Sequence, residues 1–120
     1  MAGLLLPQFG AYPVERFGVL LLDARYRLIR TRILSWGARD ASMAHPREVF
    51  REATLAAASA VVLFHNHPSG DARPSREDVA LTRRLVGAGR IMGIDVVDHI
   101  VLADNTYWSM RQAGHLSCRE

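Results

Sequence analysis

The chain contains no lysine. All 15 of its basic residues are arginine, set against 12 acidic residues for a formal net charge of +3, and they are scattered from Arg16 to Arg119. That balance permits an acidic partner without naming one. There is a single cysteine, Cys118, which excludes an intrachain disulfide framework or a cysteine-built zinc knuckle and fits a reducing compartment. A long apolar run is missing too. The opening MAGLLLPQFGAYPVERF has no basic leader, and its apolar stretch falls far short of the roughly 20 residues that span a bilayer. The expectation is a cytoplasmic protein that does not enter a membrane. With 120 residues, 49% of them apolar, and no repeat, linker or low-complexity segment, the sequence fits one compact domain over 1–120, residues 1–13 forming an N-terminal extension.

What is present has clear periodicity. RFGVLLLDA (16–24) is a short apolar run, and YRLIRTRILS (26–35) sets Leu28, Arg30 and Arg32 against Ile29, Thr31 and Ile33, which predicts a hairpin whose first strand is the more buried. HPREVFREATLAAA (45–58) places Val49, Phe50, Ala53 and Ala57 at helical spacing behind Pro46, a residue suited to a first turn. SAVVLFH (59–65) is apolar on both sides, as expected of a central strand covered on both faces. SREDVALTRRLVGAGRIMG (75–93) carries Val79, Leu81, Leu85, Val86 and Ile91 in helical rhythm. DVVDHIVLAD (95–104) and TYWSM (106–110) read as two strands joined by a tight Asp-Asn turn. The predicted order is β-β-α-β-α-β-β, a single-domain α/β sandwich with a mixed sheet flanked by helices.

Chemistry concentrates in HNHPSGDARPSRED, residues 65–78. A strand ending in His-x-His sends both imidazoles to one side, because side chains alternate with period two, so His65 and His67 converge. Asp78 lies in the first turn of the following helix, after a Pro/Gly loop that folds back toward the strand end. Two histidines and an aspartate with a fourth position open describe a catalytic zinc site, with ligand distances of about 2.0–2.2 Å. Ser75 and Asp78 also form a helix N-cap pattern. The two roles are compatible, because a hydroxyl can accept from the helix backbone and still donate elsewhere.

These residues resemble a known family. His65-x-His67, seven residues, then Ser75-x-x-Asp78 resembles the JAMM motif of MPN-type zinc metalloproteases, and the fuller HNHPSGDARPSREDVALTRRL resembles the RadC branch of that family, over nearly the whole chain from about Val14. The resemblance implies an MPN/JAMM fold of the cytidine-deaminase-like type. It implies one zinc ion per chain held by His65, His67 and Asp78, oxyanion stabilisation by Ser75, and a general base from an upstream glutamate, Glu15. Glu48 and Glu52 also precede the histidines, but their spacing of four on the predicted helix marks a solvated face. Glu15 opens VERFGVLLLD, at the mouth of a strand beside that of His65.

The implied activity is hydrolysis of an amide bond in a protein or peptide, including one after the tail of a ubiquitin-like modifier. The alternative is a nucleic-acid module of DNA repair or recombination, suggested by the naming of the RadC family. RadC proteins usually carry a helix-hairpin-helix region ahead of this domain, and only about a dozen residues precede it here, which weakens the inference to DNA. WGARDAS (36–42) departs from the Gly-Thr-x-Asn-Ala-Ser of relatives and bears on specificity. Asp98 and His99 also match the RadC pattern, as outer partners of a ligand or as a buried polar pair satisfied within the sheet. His45 is expected to start a helix, and His115 to belong to the tail. An HNH nuclease is excluded by the adjacency of the three residues, and a zinc deaminase by the lack of Pro-Cys-x-x-Cys. Nothing in the sequence fixes an oligomeric state.

Overall fold

The computed structural model describes residues 2–11, 13–36 and 45–116. Among the described residues eight elements follow in order: α1 (Ala2–Phe9), β1 (Arg16–Leu22), β2 (Leu28–Trp36), α2 (Pro46–Leu55), β3 (Ala60–Asn66), α3 (Arg76–Met92), β4 (Asp95–Ala103) and β5 (Thr106–Ser109). The order read from the sequence is preserved, and α1 adds one helix before its first strand. The five strands form one sheet in the order β2-β1-β3-β4-β5. Only β3 and β4 run parallel, joined across α3, and the other pairs are antiparallel. The sheet is therefore mixed, and with its three flanking helices the fold is the expected α/β sandwich.

The central strand explains the layering. Along β3 every residue is buried, and side chains divide by parity. Val61 and Leu63 join Phe17, Val19 and Leu21 beneath Val49, Phe50 and Ala53 of α2 and Leu81 and Leu85 of α3. Ala60, Val62 and Phe64 join Leu20, Leu22, Ile100 and Leu102 on the opposite face, where Leu5 and Phe9 of α1 cover them. The Phe9 and Phe64 rings lie 4.9 Å apart, and the Asp104 amide donates to the Gly10 carbonyl at 2.6 Å, tying the end of α1 to the β4–β5 turn. His65 continues the odd-numbered series, and so emerges on the face covered by α3.

Several local expectations need correction. α2 stops at Leu55, because Ala57 takes a left-handed conformation with φ 55° and so cannot extend the apolar stripe. In α3 the buried positions are Asp78, Leu81, Thr82, Leu85 and Gly89. Ile91, expected in the core, is 88% exposed, and Val79 is only partly buried. The apolar stripe thus runs along the 78/82/85/89 line, with two of its positions taken by Asp78 and Thr82. α3 ends at Gly93, whose φ of 74° suits a left-handed C-cap. WGARDAS lies outside the described residues beyond Trp36. Among the described residues, no helix is long and apolar enough to cross a membrane.

Candidate metal centre

The site lies where three elements end together. Antiparallel pairing sets Phe17 of β1 opposite His65 of β3, so the start of β1 meets the end of β3 and Glu15 arrives beside the histidines. The loop after His67 then returns the chain to the first turn of α3. There the Ser75 hydroxyl accepts from the Asp78 amide at 3.0 Å, and the Ser75 amide donates to Asp78 Oδ2 at 2.8 Å. This reciprocal capping box turns the Asp78 carboxylate back toward the end of β3, as the N-cap pattern predicts.

His65, His67 and Asp78 come together. The two Nε2 atoms are 3.0 Å apart, and Asp78 Oδ2 lies 3.4 Å from His65 Nε2 and 3.3 Å from His67 Nε2. A tetrahedral ion with ligands at about 2.0–2.1 Å has edges of about 3.3–3.4 Å between them, so the triangle has the size of one face of such a polyhedron. Glu15 offers a carboxylate oxygen to the same cluster, within 4.8 Å of the ligand nitrogens of His65 and His67. Glu15, His65 and His67 form a group able to hold a metal ion, and the Asp78 carboxylate lies within 3.4 Å of both histidines.

One direction of proton donation runs through the buried hydrogen bonds and leaves two ring nitrogens bare. The Thr82 hydroxyl donates to the Asp78 carbonyl at 2.7 Å, leaving it to accept from His99 Nδ1 at 2.6 Å. His99 is then protonated at Nδ1 and accepts at Nε2, which lies 2.8 Å from His65 Nδ1. In this tautomer His65 carries its proton on Nδ1 and presents a lone pair at Nε2. The same holds for His67, whose Nδ1 faces the Asp71 carbonyl at 2.9 Å, an acceptor only. Two lone pairs and a carboxylate oxygen are thus directed at one another within 3.4 Å. Such a donor set repels itself until a proton or a cation lies between its members, and so fits a metal ion.

With no cation between them, a proton on Nε2 takes its place beside Asp78. Burial holds His65 and, more strongly, His99 below the ordinary histidine value, and both are fully buried. The hydrogen bond to Asp78 raises His67. Burial pushes Asp78 up, but hydrogen bonds from His65 and His67, made when Nε2 carries a proton, outweigh it and hold this carboxyl well below the usual range. The carboxylate is ionised and attracts positive charge to this point.

At this place in the fold, the family comparison is decisive: the profile described as RadC-like JAB domain matches residues 1–115. The chain belongs to the RadC-like JAB domain family. Among curated relatives, a UPF0758 protein of Symbiobacterium thermophilum is 49% identical over 113 residues, which is 94% of this chain and 48% of that protein. A UPF0758 protein of Pelobacter propionicus is 53% identical over 102 residues, 85% of this chain and 44% of that protein. One from Methanococcoides burtonii is 42% identical over 114 residues, 95% of this chain and 50% of that protein. The chain spans about half the length of these RadC-family relatives.

Other sequence expectations separate within this RadC-like domain. Glu52 pairs with Arg32 at 3.1 Å and Glu48 is exposed, so neither belongs to the cluster. His45 caps α2, its Nδ1 accepting from the Arg47 amide at 3.2 Å. His115 stacks against Trp108. Asp98 and His99 divide the two alternatives between them: Asp98 accepts from the Ser109 hydroxyl at 2.6 Å and the Arg111 amide at 3.0 Å, fastening β5 and the turn after it, while His99 bonds His65.

Two participants escaped the sequence reading. Thr82 closes the relay, and its signal was a polar residue one turn after Asp78 on the buried stripe. Asn66 accepts from the Arg16 amide at 2.7 Å and donates to the Val14 carbonyl at 3.0 Å, so it clamps the backbone on both sides of Glu15. Its signal was an amide between the two histidines, on the face they do not use.

Proposed function

We propose that this chain is a zinc-dependent hydrolase of amide bonds in a protein or peptide. The observation that carries the reading is the convergence of the bare Nε2 atoms of His65 and His67 with the Asp78 carboxylate at the size of a tetrahedral face. Two imidazoles and one carboxylate, with no thiolate, suit an open catalytic zinc centre. One zinc ion per chain would be held by His65, His67 and Asp78. When bound, such an ion lowers the pKa of water toward about 7 and polarises a carbonyl.

The chain's own groups supply the rest. Glu15, held from both sides by Asn66, takes the water proton as the water oxygen bonds to the carbonyl carbon, and delivers it to the amide nitrogen as the C–N bond breaks. Ser75 uses a lone pair for the Asp78 amide, so its O–H remains to donate to the carbonyl oxygen as that atom becomes negative. The His99–Thr82 relay keeps the His65 ring in place and its Nε2 bare.

The test couples metal analysis to a screen of peptide and isopeptide substrates. Wild type should hold about one zinc per chain and His67→Ala should hold none. Glu15→Gln should keep the metal yet lose about 10²- to 10⁴-fold in hydrolysis, the usual worth of a general base. A folded wild-type protein that retains no stoichiometric metal overturns the proposal.

A further inference from the structure

Beside the metal centre runs a groove of about 640 Å³ along the outer side of α3, floored by Val79 and Trp108 and beginning at Ser75. Its rim is basic: Arg73, Arg76 and Arg83 line it. Arg73 is paired with Asp71 at 2.8 Å, so the uncompensated charge comes mainly from Arg76 and Arg83, both exposed. Seven residues apart on a helix, these two stand about 10.5 Å from one another along its axis. That length matches about three residues of extended polypeptide. Since Ser75 also belongs to the candidate active site, a chain lying in the groove leads directly to the reacting position.

We infer that this groove binds an extended, acidic polypeptide segment adjoining the scissile bond, recognised by Arg76 and Arg83 over an apolar floor. The inference rests on the hydrolase reading for the word scissile and on the groove alone for the binding. Charge complementarity selects an anionic occupant, because two exposed guanidinium groups flank apolar surface. A single-stranded nucleic acid fits less well. Such ligands stack their bases on open aromatic faces, whereas the groove's tryptophan is half-buried and lies against the His115 ring, with centroids 6.2 Å apart and planes 22° from parallel.

The test uses the whole chain carrying Trp36→Phe, so that Trp108 is the sole tryptophan, and His67→Ala, so that binding is read without cleavage. A Glu-rich decapeptide should change Trp108 emission on binding and bind at least about tenfold more tightly than a Lys-rich or Ser/Gly decapeptide. The Arg76→Glu, Arg83→Glu double variant should lose about tenfold of that affinity, as should raising the salt from about 0.05 M to about 0.5 M. Equal binding of all three peptides, indifference to the double charge reversal, or tighter binding of a single-stranded oligonucleotide of equal charge each overturns the inference. Acidic-peptide binding in a wild-type protein that cleaves nothing would leave the groove assignment standing and defeat the hydrolase reading alone.

Discussion

Replacing Thr82 with valine removes one oxygen and keeps the shape of the side chain, and its consequences can be followed atom by atom. The lost hydroxyl accepts from His99 Nδ1 at 2.6 Å and donates to the Asp78 carbonyl at 2.7 Å, in a position with no exposed surface. A buried donor left without its acceptor costs about 1–3 kcal/mol. For a 120-residue chain, an unfolding entropy of about 2.1 cal/mol/K per residue makes each kcal/mol worth about 4 °C, so Tm should fall by roughly 4–12 °C. His99 can relieve the orphaned Nδ1–H by moving its proton to Nε2. That proton then faces His65 Nδ1, which must become the acceptor, and His65 takes its own proton onto Nε2, the atom turned toward His67 and Asp78. Cation affinity should drop about 10- to 100-fold, as it does when the outer partner of a ligating histidine is lost. Competition against a chromophoric chelator reads the affinity, and nitrogen-15 imidazole shifts of the metal-free protein read the tautomers. Thr82→Ser, which keeps the hydroxyl, should restore both. A Thr82→Val protein that binds zinc as tightly as wild type, with His65 still protonated at Nδ1, would refute the relay.

The remaining expectations concern Ser75 and pH. Ser75→Ala removes an N-cap and an oxyanion donor together, so stability should fall by about 1 kcal/mol while turnover of a cleavable peptide falls about 100-fold or more; Ser75→Thr should restore the cap, and equal turnover in Ser75→Ala would remove this residue from the chemistry. In the metal-free protein, burial lowers His65 and His99 below their ordinary value of 6.5. Unfolded histidines take up protons first, so the stability these two contribute is present above about pH 6.5 and lost as pH falls below it, by up to about 1.4 kcal/mol per pH unit per group. His67 is raised by Asp78, so its contribution is present below about pH 6.5 and lost as pH rises through the raised value. Tm of the metal-free protein should therefore peak near pH 6.5, and added zinc should abolish the alkaline fall, because a ligating imidazole carries no proton on Nε2; a metal-free Tm that climbs from about pH 6.5 to about 5.5 would contradict the burial argument.

The parts of this molecule that were legible in the sequence are those governed by short periods. The Leu28–Ile33 alternation defined the second hairpin strand, and the two-residue step between His65 and His67 placed both rings on one side. The Ser75–Asp78 spacing gave both a cap and a carboxylate aimed backward. What escaped depends on distant contacts. α1 is eight residues long with Pro7 inside it, too short to declare itself, and it is held by Phe9 against Phe64 and by Gly10 against the β4–β5 turn. Ile91 kept the helical rhythm yet faces solvent, because the buried line of α3 was set by what Asp78 and Thr82 had to reach. Asn66 lies between the two histidines, and its partners are set only when β1 is laid beside β3.

Those misses share a cause. A polar side chain in a core is held there by its partners, and the partners of Asn66, like the His99 that meets Thr82, come from elements remote in the chain, where no local pattern records them. Once assembled, the relay runs from the Asp78 carbonyl through Thr82 and His99 to His65 Nδ1. In this direction the Thr82 hydroxyl proton goes to the Asp78 carbonyl and each imidazole donates from Nδ1. The polarity ends at His65 Nε2, and the shorter relay from the Asp71 carbonyl ends likewise at His67 Nε2. The surroundings that bury His65 and His99 thus also decide where unsatisfied lone pairs are left, 3.0 Å apart beside an ionised Asp78. Stability and metal affinity are consequently coupled through the same hydrogen bonds, and substitutions along the relay should shift both together.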